Sequence, residues 1–521
     1  MKKSLVLLMV LIIIFTTAFT GCAKSTTETN TNTTESEPGE NTDPVSTEPV
    51  KSEIVIVEGM ETTNLDPAQG VLGISSSVKT ALYDSLVVYD EAYNIQPRLA
   101  ESWEESEDHL SYTFKLREDA FFHDGEQVTS DDVLFSYEQQ LIGPMGAGFP
   151  AFISKVEVID KFTVKVSRAM AHMKTLDALV INLPIMPKHL VEANPTALVE
   201  NPIGSGPYIF SSKENDGSIV LTANPKFYLG EPVVKKIIVR SPMEMSSAVI
   251  ALENETVDIV KGLVATQYNQ VEQSPNLKLL IESSWSSTLL FLSGEPFKSN
   301  VKLREAVFHA INVPDLILLS GVDGKASNSF FAERVMGDYY STVDLSNNYD
   351  LDLAKSLLIE SQYDINQPIV FSVLPTLAPI VEVIQAQLNE IGLKVEIEQI
   401  DMNVFYDKLM KQELTVMVTP MGSSIAGLVD LMNVLSTNGD YYNSFGEKTA
   451  EYDAKMSEIL TSMDSVKQKA LIEEALIMQS SLYNLIPLFE SSSATAYNNR
   501  IQNMHGSATG IIYFEKLQLT K

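Results

Sequence analysis

The sequence has one cysteine, Cys22, and six histidines at positions 109, 123, 172, 189, 309 and 505. No two of those histidines stand four apart, and there is no His-Glu-x-x-His run. Any metal site would need histidines and carboxylates distant in the chain, because no second thiolate is available. Gly422-Ser423-Ser424-Ile425-Ala426 departs from a nucleophile elbow at its last residue, so it reads as a flexible loop at a strand end. Gly204-Ser205-Gly206 lacks the Gly-Lys-Ser/Thr of a phosphate loop. Carboxylate pairs such as Glu104-Glu105 and Asp131-Asp132 are expected among 68 acidic residues and serve as solvated faces or helix caps. The reading is therefore no catalytic residue, no cofactor and no resident metal. An exported hydrolase with Ser424 as nucleophile is the rival, and it would need a histidine within reach.

Cys22 has a use other than catalysis. Lys2 and Lys3 precede an apolar run from Leu5 to Phe15, and small residues lead to Gly21-Cys22. That is the layout of an export signal over 1–21, too short to span a membrane. Thr20-Gly21-Cys22 resembles a bacterial lipoprotein cleavage site, although Phe19 stands where leucine is usual. The resemblance implies that Cys22 becomes a lipidated anchor, which suits an exported chain whose only thiol has no partner. Residues 22–52 are then a disordered tether rich in Thr, Ser, Asn and Glu, with too little apolar surface to offset ordering entropy.

The remaining chain is 45% hydrophobic by overall composition and long enough for more than one core. The formal net charge of −31 makes nucleic acid a poor partner. Glu53–Val57 reads as a strand, Ser76–Val88 as a helix and Tyr112–Leu116 as a half-buried strand. Thr129 with Asp132 forms a capping box that opens a helix. Val156–Ile159 and Phe162–Val166 form a hairpin. Further on, strands at 368–374, 394–400 and 414–418 alternate with helices at 378–391 and 402–411, which implies a mainly parallel sheet. A long helix over 465–482 precedes a strand at 487–490. The pattern is α/β in two lobes, with crossings near 284–292 and 488–494.

Several blocks carry a more specific resemblance: Tyr83-Asp84-Ser85-Leu86-Val87, Pro97-Arg98-Leu99-Ala100-Glu101-Ser102-Trp103, Phe122-His123-Asp124-Gly125, Gly204-Ser205-Gly206-Pro207-Tyr208 and Val301-Lys302-Leu303-Arg304-Glu305-Ala306. Together they resemble the extracytoplasmic solute-binding proteins of ABC importers of the oligopeptide, dipeptide and nickel type, family 5. The resemblance implies a two-lobed periplasmic-binding-protein-like fold (type II) with a hinge of two crossing segments and an extra subdomain in lobe one. Lobe one would cover 53–284, lobe two 285–489, and 490–521 would return to lobe one. Trp103, Phe114, His123, Gly125, Gly206 and Arg304 read as scaffold.

The resemblance also implies that an oligopeptide-like solute closes the lobes and that the monomeric, lipid-anchored complex docks on an ABC permease with ATPase partners. Metal chelates, oligosaccharides or signalling peptides are the alternative solutes. The expected contacts lie on loops facing the cleft: Thr63 and Gln69 from lobe one, Trp285 from the crossing, and Ser423, Ser424, Asp430, Tyr441 and Asn443 from lobe two. Peptide-binding relatives often carry an Asp-Pro-Asp-like segment where this chain has Met421 to Asp430. Only Asp430 remains there to hold an amine.

Overall fold

The computed structural model describes residues 52–59, 62–68, 75–90, 94–143, 153–169, 175–336, 340–411, 413–421, 450–462, 464–505 and 511–520. Nine strands form its largest sheet: β1 Glu53–Val57, β2 Tyr208–Lys213, β3 Ile219–Ala223, β4 Lys236–Arg240, β5 Ile259–Lys261, β6 Leu277–Leu292, β7 Gly324–Ala326, β8 Val416–Met421 and β9 Leu485–Asn498. Their order is β8-β6-β9-β5-β1-β4-β3-β2, with β7 also beside β9.

β1 shows why such strands form. Ile54 and Ile56 pack with Leu82, Tyr208, Ile237 and Phe514 on one face. Val55 and Val57 pack with Val249, Val260 and Ala496 on the other. A strand buried on both faces reads as a continuous apolar run, and each such side chain contributes about 1.5–3 kcal/mol by leaving water. β6 repeats the arrangement in a second core. Leu290 and Leu292 pack with Leu303, Val381 and Ile486, while Leu289 and Phe291 pack with Phe330, Met417 and Ile472.

β6 and β9 join these cores. They pair antiparallel from Leu277 opposite Asn498 to Phe291 opposite Leu485. Between the apolar ends lie Glu282 to Ser287 on β6 and Glu490 to Ser493 on β9. The register slips between Ser283 and Ser287, and a bulge of that kind bends a strand and increases its twist. The fold is thus two-lobed α/β, with two long strands as the crossing segments. An extra four-stranded sheet, ordered Ala100–Glu105, Ser111–Leu116, Thr163–Ser167, Lys155–Asp160, packs under the helix Ser130–Ile142. Thr129 and Asp132 cap that helix reciprocally. Phe114 is fully buried there, with the ring of Trp103 6.1 Å away.

Two expectations need correction. The helix from Ser76 stops at Leu82, and Val87–Tyr89 is a strand paired with Ile95–Pro97. The chain turns because the Gly206 N–H donates to the Leu82 carbonyl and Asp84 is held by Arg98. Among the described residues of the later third, only Ile369–Val373 and Val395–Gln399 pair in parallel. The third strand, β8, pairs antiparallel with β6 in the large sheet. Alternation of strands and helices suggested one parallel sheet, but the free edge of the crossing strand takes that strand instead.

Candidate functional site

β1 and β5 are adjacent and parallel, with Val57 opposite Val260. Each ends in an apolar residue, a charged residue and a glycine: Val57-Glu58-Gly59 and Val260-Lys261-Gly262. The next residues in register, Glu58 and Lys261, therefore stand side by side, and Lys261 Nζ donates to Glu58 Oε1 at 2.7 Å. Lys261 also donates to Ser77 Oγ at 3.2 Å. Glu58 is 2% exposed. Burial alone would raise its carboxyl, but Lys261 and the nearby Ser75 and Ser77 hydroxyls outweigh that and hold it below the usual carboxylate range. Oε2 has no hydrogen-bond partner among the described residues.

The pairing of β9 shows where this edge points. On one side β9 follows β6; on the other it carries β5, with Lys261 opposite Thr495, and β7, with Gly324 opposite Ser491. The carboxyl end of β5 thus faces the start of β7 across four residues of β9, about 13 Å at ~3.3 Å per residue. In open α/β sheets, ligands favour the crevice outside the carboxyl ends of strands. The N–H groups of Gly262 and Leu263 both donate to the Ala494 carbonyl, and Ser492 N–H donates to Asp323 O.

Polar groups from the second core border the polar middle of β6 and β9, the floor between the two cores. The buried Glu490 pairs with Lys325 at 3.0 Å, and that hydrogen bond raises the lysine's pKa. Ser287 Oγ donates toward Ser327 Oγ (3.2 Å) and Ser329 O (3.3 Å), while Tyr340 donates to Asn328 Oδ1 at 3.2 Å. Among the described residues one side-chain bond joins the two sides: the Tyr268 hydroxyl, from the helix Ala265–Gln273, donates to Asp323 Oδ2. Burial and that bond raise the Tyr268 pKa.

Of the residues expected to touch solute, Thr63 is exposed in the loop after β1, beside buried Thr62, whose hydroxyl accepts Ser75 N–H at 3.2 Å. The backbone of Trp285 lies in the bulged middle of β6. Gln69, Ser423, Ser424, Asp430, Tyr441 and Asn443 lie outside the described residues, as does Cys22. Glu58, Lys261, Tyr268, Asp323, Lys325 and Glu490 were not singled out from the sequence. The repeated apolar-charged-glycine ending of β1 and β5 was the available signal for the first two.

The family blocks hold the scaffold. His123 Nδ1 accepts Gly204 N–H at 3.2 Å, and its Nε2 lies 3.0 Å from Gly206 O. Burial pushes its pKa down to about 4. Arg304 donates to the carbonyls of Leu482, Phe297 and Lys298. Arg98 lies between Asp84 (2.6 Å) and Glu515 (2.9 Å), beside a small crevice walled by Lys79, Tyr83 and Tyr513. Its charge is already matched, so that crevice is a seam between the lobe and the C-terminal segment. Among the described residues no group of three or more His, Cys, Asp or Glu could hold a metal ion, and no helix is long and apolar enough to cross a membrane.

The profile of the bacterial extracellular solute-binding proteins, family 5 (middle region), matches residues 94–443. The oligopeptide-binding protein AppA of Bacillus subtilis is 25% identical over 425 residues, covering 75% of this chain and 77% of that one. Heme-binding protein A of Haemophilus influenzae is 23% identical over 490 residues, covering 85% and 88%. Among solved structures, AppA in complex with a nonapeptide superposes with a TM-score of 0.76 at 21% identity, covering 90% of this chain and 99% of that one.

Proposed function

Since the chain belongs to the bacterial extracellular solute-binding proteins of family 5, which serve ABC importers, we propose that it captures an oligopeptide-like solute between its lobes and presents it to an ABC permease from a lipid anchor at Cys22. The observation that carries the binding reading is the polar floor on β6 and β9, bordered by side chains from both cores. A solute touching both sides stabilises the closed form by its differential affinity for that form. AppA is named for oligopeptides and was solved with a nonapeptide, which supports a peptide-like solute. The hydroxyl, amide and carboxylate groups at the floor suit backbone N–H and C=O groups. Lobe one at 53–284, lobe two at 285–489 and a return at 490–521 are part of this reading, as is a monomer that needs no cofactor.

Calorimetry of the full-length protein with pools of short peptides tests it: saturable heat is expected. Heat only with sugars or metal chelates would overturn the peptide assignment and leave solute capture standing. For the anchor, Cys22→Ser should move the protein from the membrane fraction to the soluble one with binding intact. A variant that stayed on membranes would refute lipidation at Cys22.

A further inference from the structure

We propose that Glu490, on the crossing strand β9, takes a positively charged group of the solute, an ammonium or a guanidinium, and that Lys325 holds that place until the solute arrives. This rests on the solute-binding reading above and names the class of group taken at one position within it.

Three observations converge. The first is position. Lys325, Glu490, Ser287 and Met421 are direct partners across β7, β9, β6 and β8, and residues opposed in this way share one face of a sheet. Met421 is the last residue of β8 and packs in the second core with Leu289. On the other side of the row β9 runs on as Ser491-Ser492-Ser493 into the polar middle. Glu490 thus stands where the second core ends and the floor begins. The second is its exposure. Glu490 is 5% exposed, whereas Lys325, which meets its Oε2 at 3.0 Å, keeps 66% of its side chain in solvent. Oε1 accepts no hydrogen bond among the described residues, and it is not sealed from solvent as Glu58 Oε2 is. The third is charge. Tyr340 packs against the same core and donates to Asn328. Burial raises its pKa, and the carboxylates of Glu490 and Glu333 raise it further, so both lie within electrostatic reach. Two carboxylates against the one ammonium of Lys325 leave a negative charge unmatched.

A cross-strand ion pair that merely steadies β7 is the plain alternative, and it explains the burial poorly. Ion pairs with an exposed partner contribute little, while sinking the carboxylate carries a desolvation cost that a solvent-facing lysine offsets only in part. Elsewhere a buried structural carboxylate is used completely: Asp258 accepts Val55 N–H on one oxygen and Arg500 on the other. Glu490 has instead one partner, on a long stem that lies in solvent, and an oxygen left open. That ammonium can swing out to water at small cost. A solute cation that enters as the lobes close is cut off from water, and there the same pairing is stronger.

The test uses full-length protein purified in detergent. A random pool of tri- to pentapeptides is offered, and the retained sequences are identified by mass spectrometry. One retained peptide is then measured as it is, N-acetylated, with every lysine or arginine replaced by norleucine, and with both changes. Glu490→Gln should weaken the unmodified peptide at least about tenfold relative to wild type, as for a hydrogen bond to a charged group. Acetylation should abolish that ratio if the cation is the α-amine, and norleucine should abolish it if the cation is a side chain. Lys325→Met keeps the stem and removes the competing charge, so it should strengthen the unmodified peptide by about two- to fivefold, the range of an exposed ion pair. That variant tests the contact even if Glu490→Gln folds poorly. A folded Glu490→Gln within twofold of wild type, a ratio that survives both changes together, or a Lys325→Met variant that binds no better than wild type would overturn the assignment. If wild type retains no peptide, the peptide reading falls and this contact with it, an outcome distinct from a retained peptide that ignores Glu490.

Discussion

His123 gives a pH prediction with a calculable size. Its neutral ring accepts Gly204 N–H at Nδ1 and lies against Gly206 O through Nε2. Both ring nitrogens become donors on protonation, so the Gly204 bond cannot survive it. The folded pKa is depressed to about 4 from an ordinary 6.5. The unfolded form therefore binds the proton first. The stability from the neutral ring is complete above about pH 6.5 and is lost as pH falls towards 4. Between pH 7.5 and pH 5 those two values give a loss of about 2 kcal/mol, or about 30-fold in the opening equilibrium of this turn. Deuterium exchange at the Gly204 amide, corrected for the intrinsic rate at each pH, should show that fall in protection. A His123→Gln variant should show almost none of it. Wild-type protection constant within threefold, or an equal fall in the variant, would refute the assignment of the shift to this ring.

Three further substitutions probe the frame. In Gly206→Ala the new methyl would lie 2.4 Å from the Ala81 carbonyl oxygen and 2.7 Å from Leu82 C, both backbone; a loss of about 1–3 kcal/mol is expected, read as a lower urea midpoint. Asp258 is fully buried and holds Arg500 at 2.7 Å and Val55 N–H at 2.8 Å. Asp258→Ala should cost about 3–5 kcal/mol by leaving the arginine uncompensated, and limited proteolysis should release the C-terminal segment earlier. Tyr268→Phe removes the hydroxyl that joins the helix Ala265–Gln273 to Asp323. A change of about 1 kcal/mol towards the open form is expected, visible as a larger radius of gyration of the ligand-free protein in X-ray scattering, and an unchanged radius would count against a bond between the lobes.

The sequence by itself determined what is local or repeated along the chain. The apolar run of β1, the Thr129–Asp132 cap and the end of the helix over 378–391, just before Gly392 with its φ of +93°, follow from periodicity and backbone preference. The family blocks identified the architecture because they are scaffold: His123, Arg98 and Arg304 close turns and seams. Tertiary structure alone decided which strand pairs with which. β8 follows a β-α-β-α pattern, yet it joins β6 in antiparallel, because the unsatisfied edge of a long crossing strand outweighs the local alternation. It also decided the candidate site. Glu58 and Lys261 are 203 residues apart, and the apolar-charged-glycine ending they share marks each strand end without pairing the two. They meet because two strands lie parallel in register, which is a property of the sheet and not of any segment.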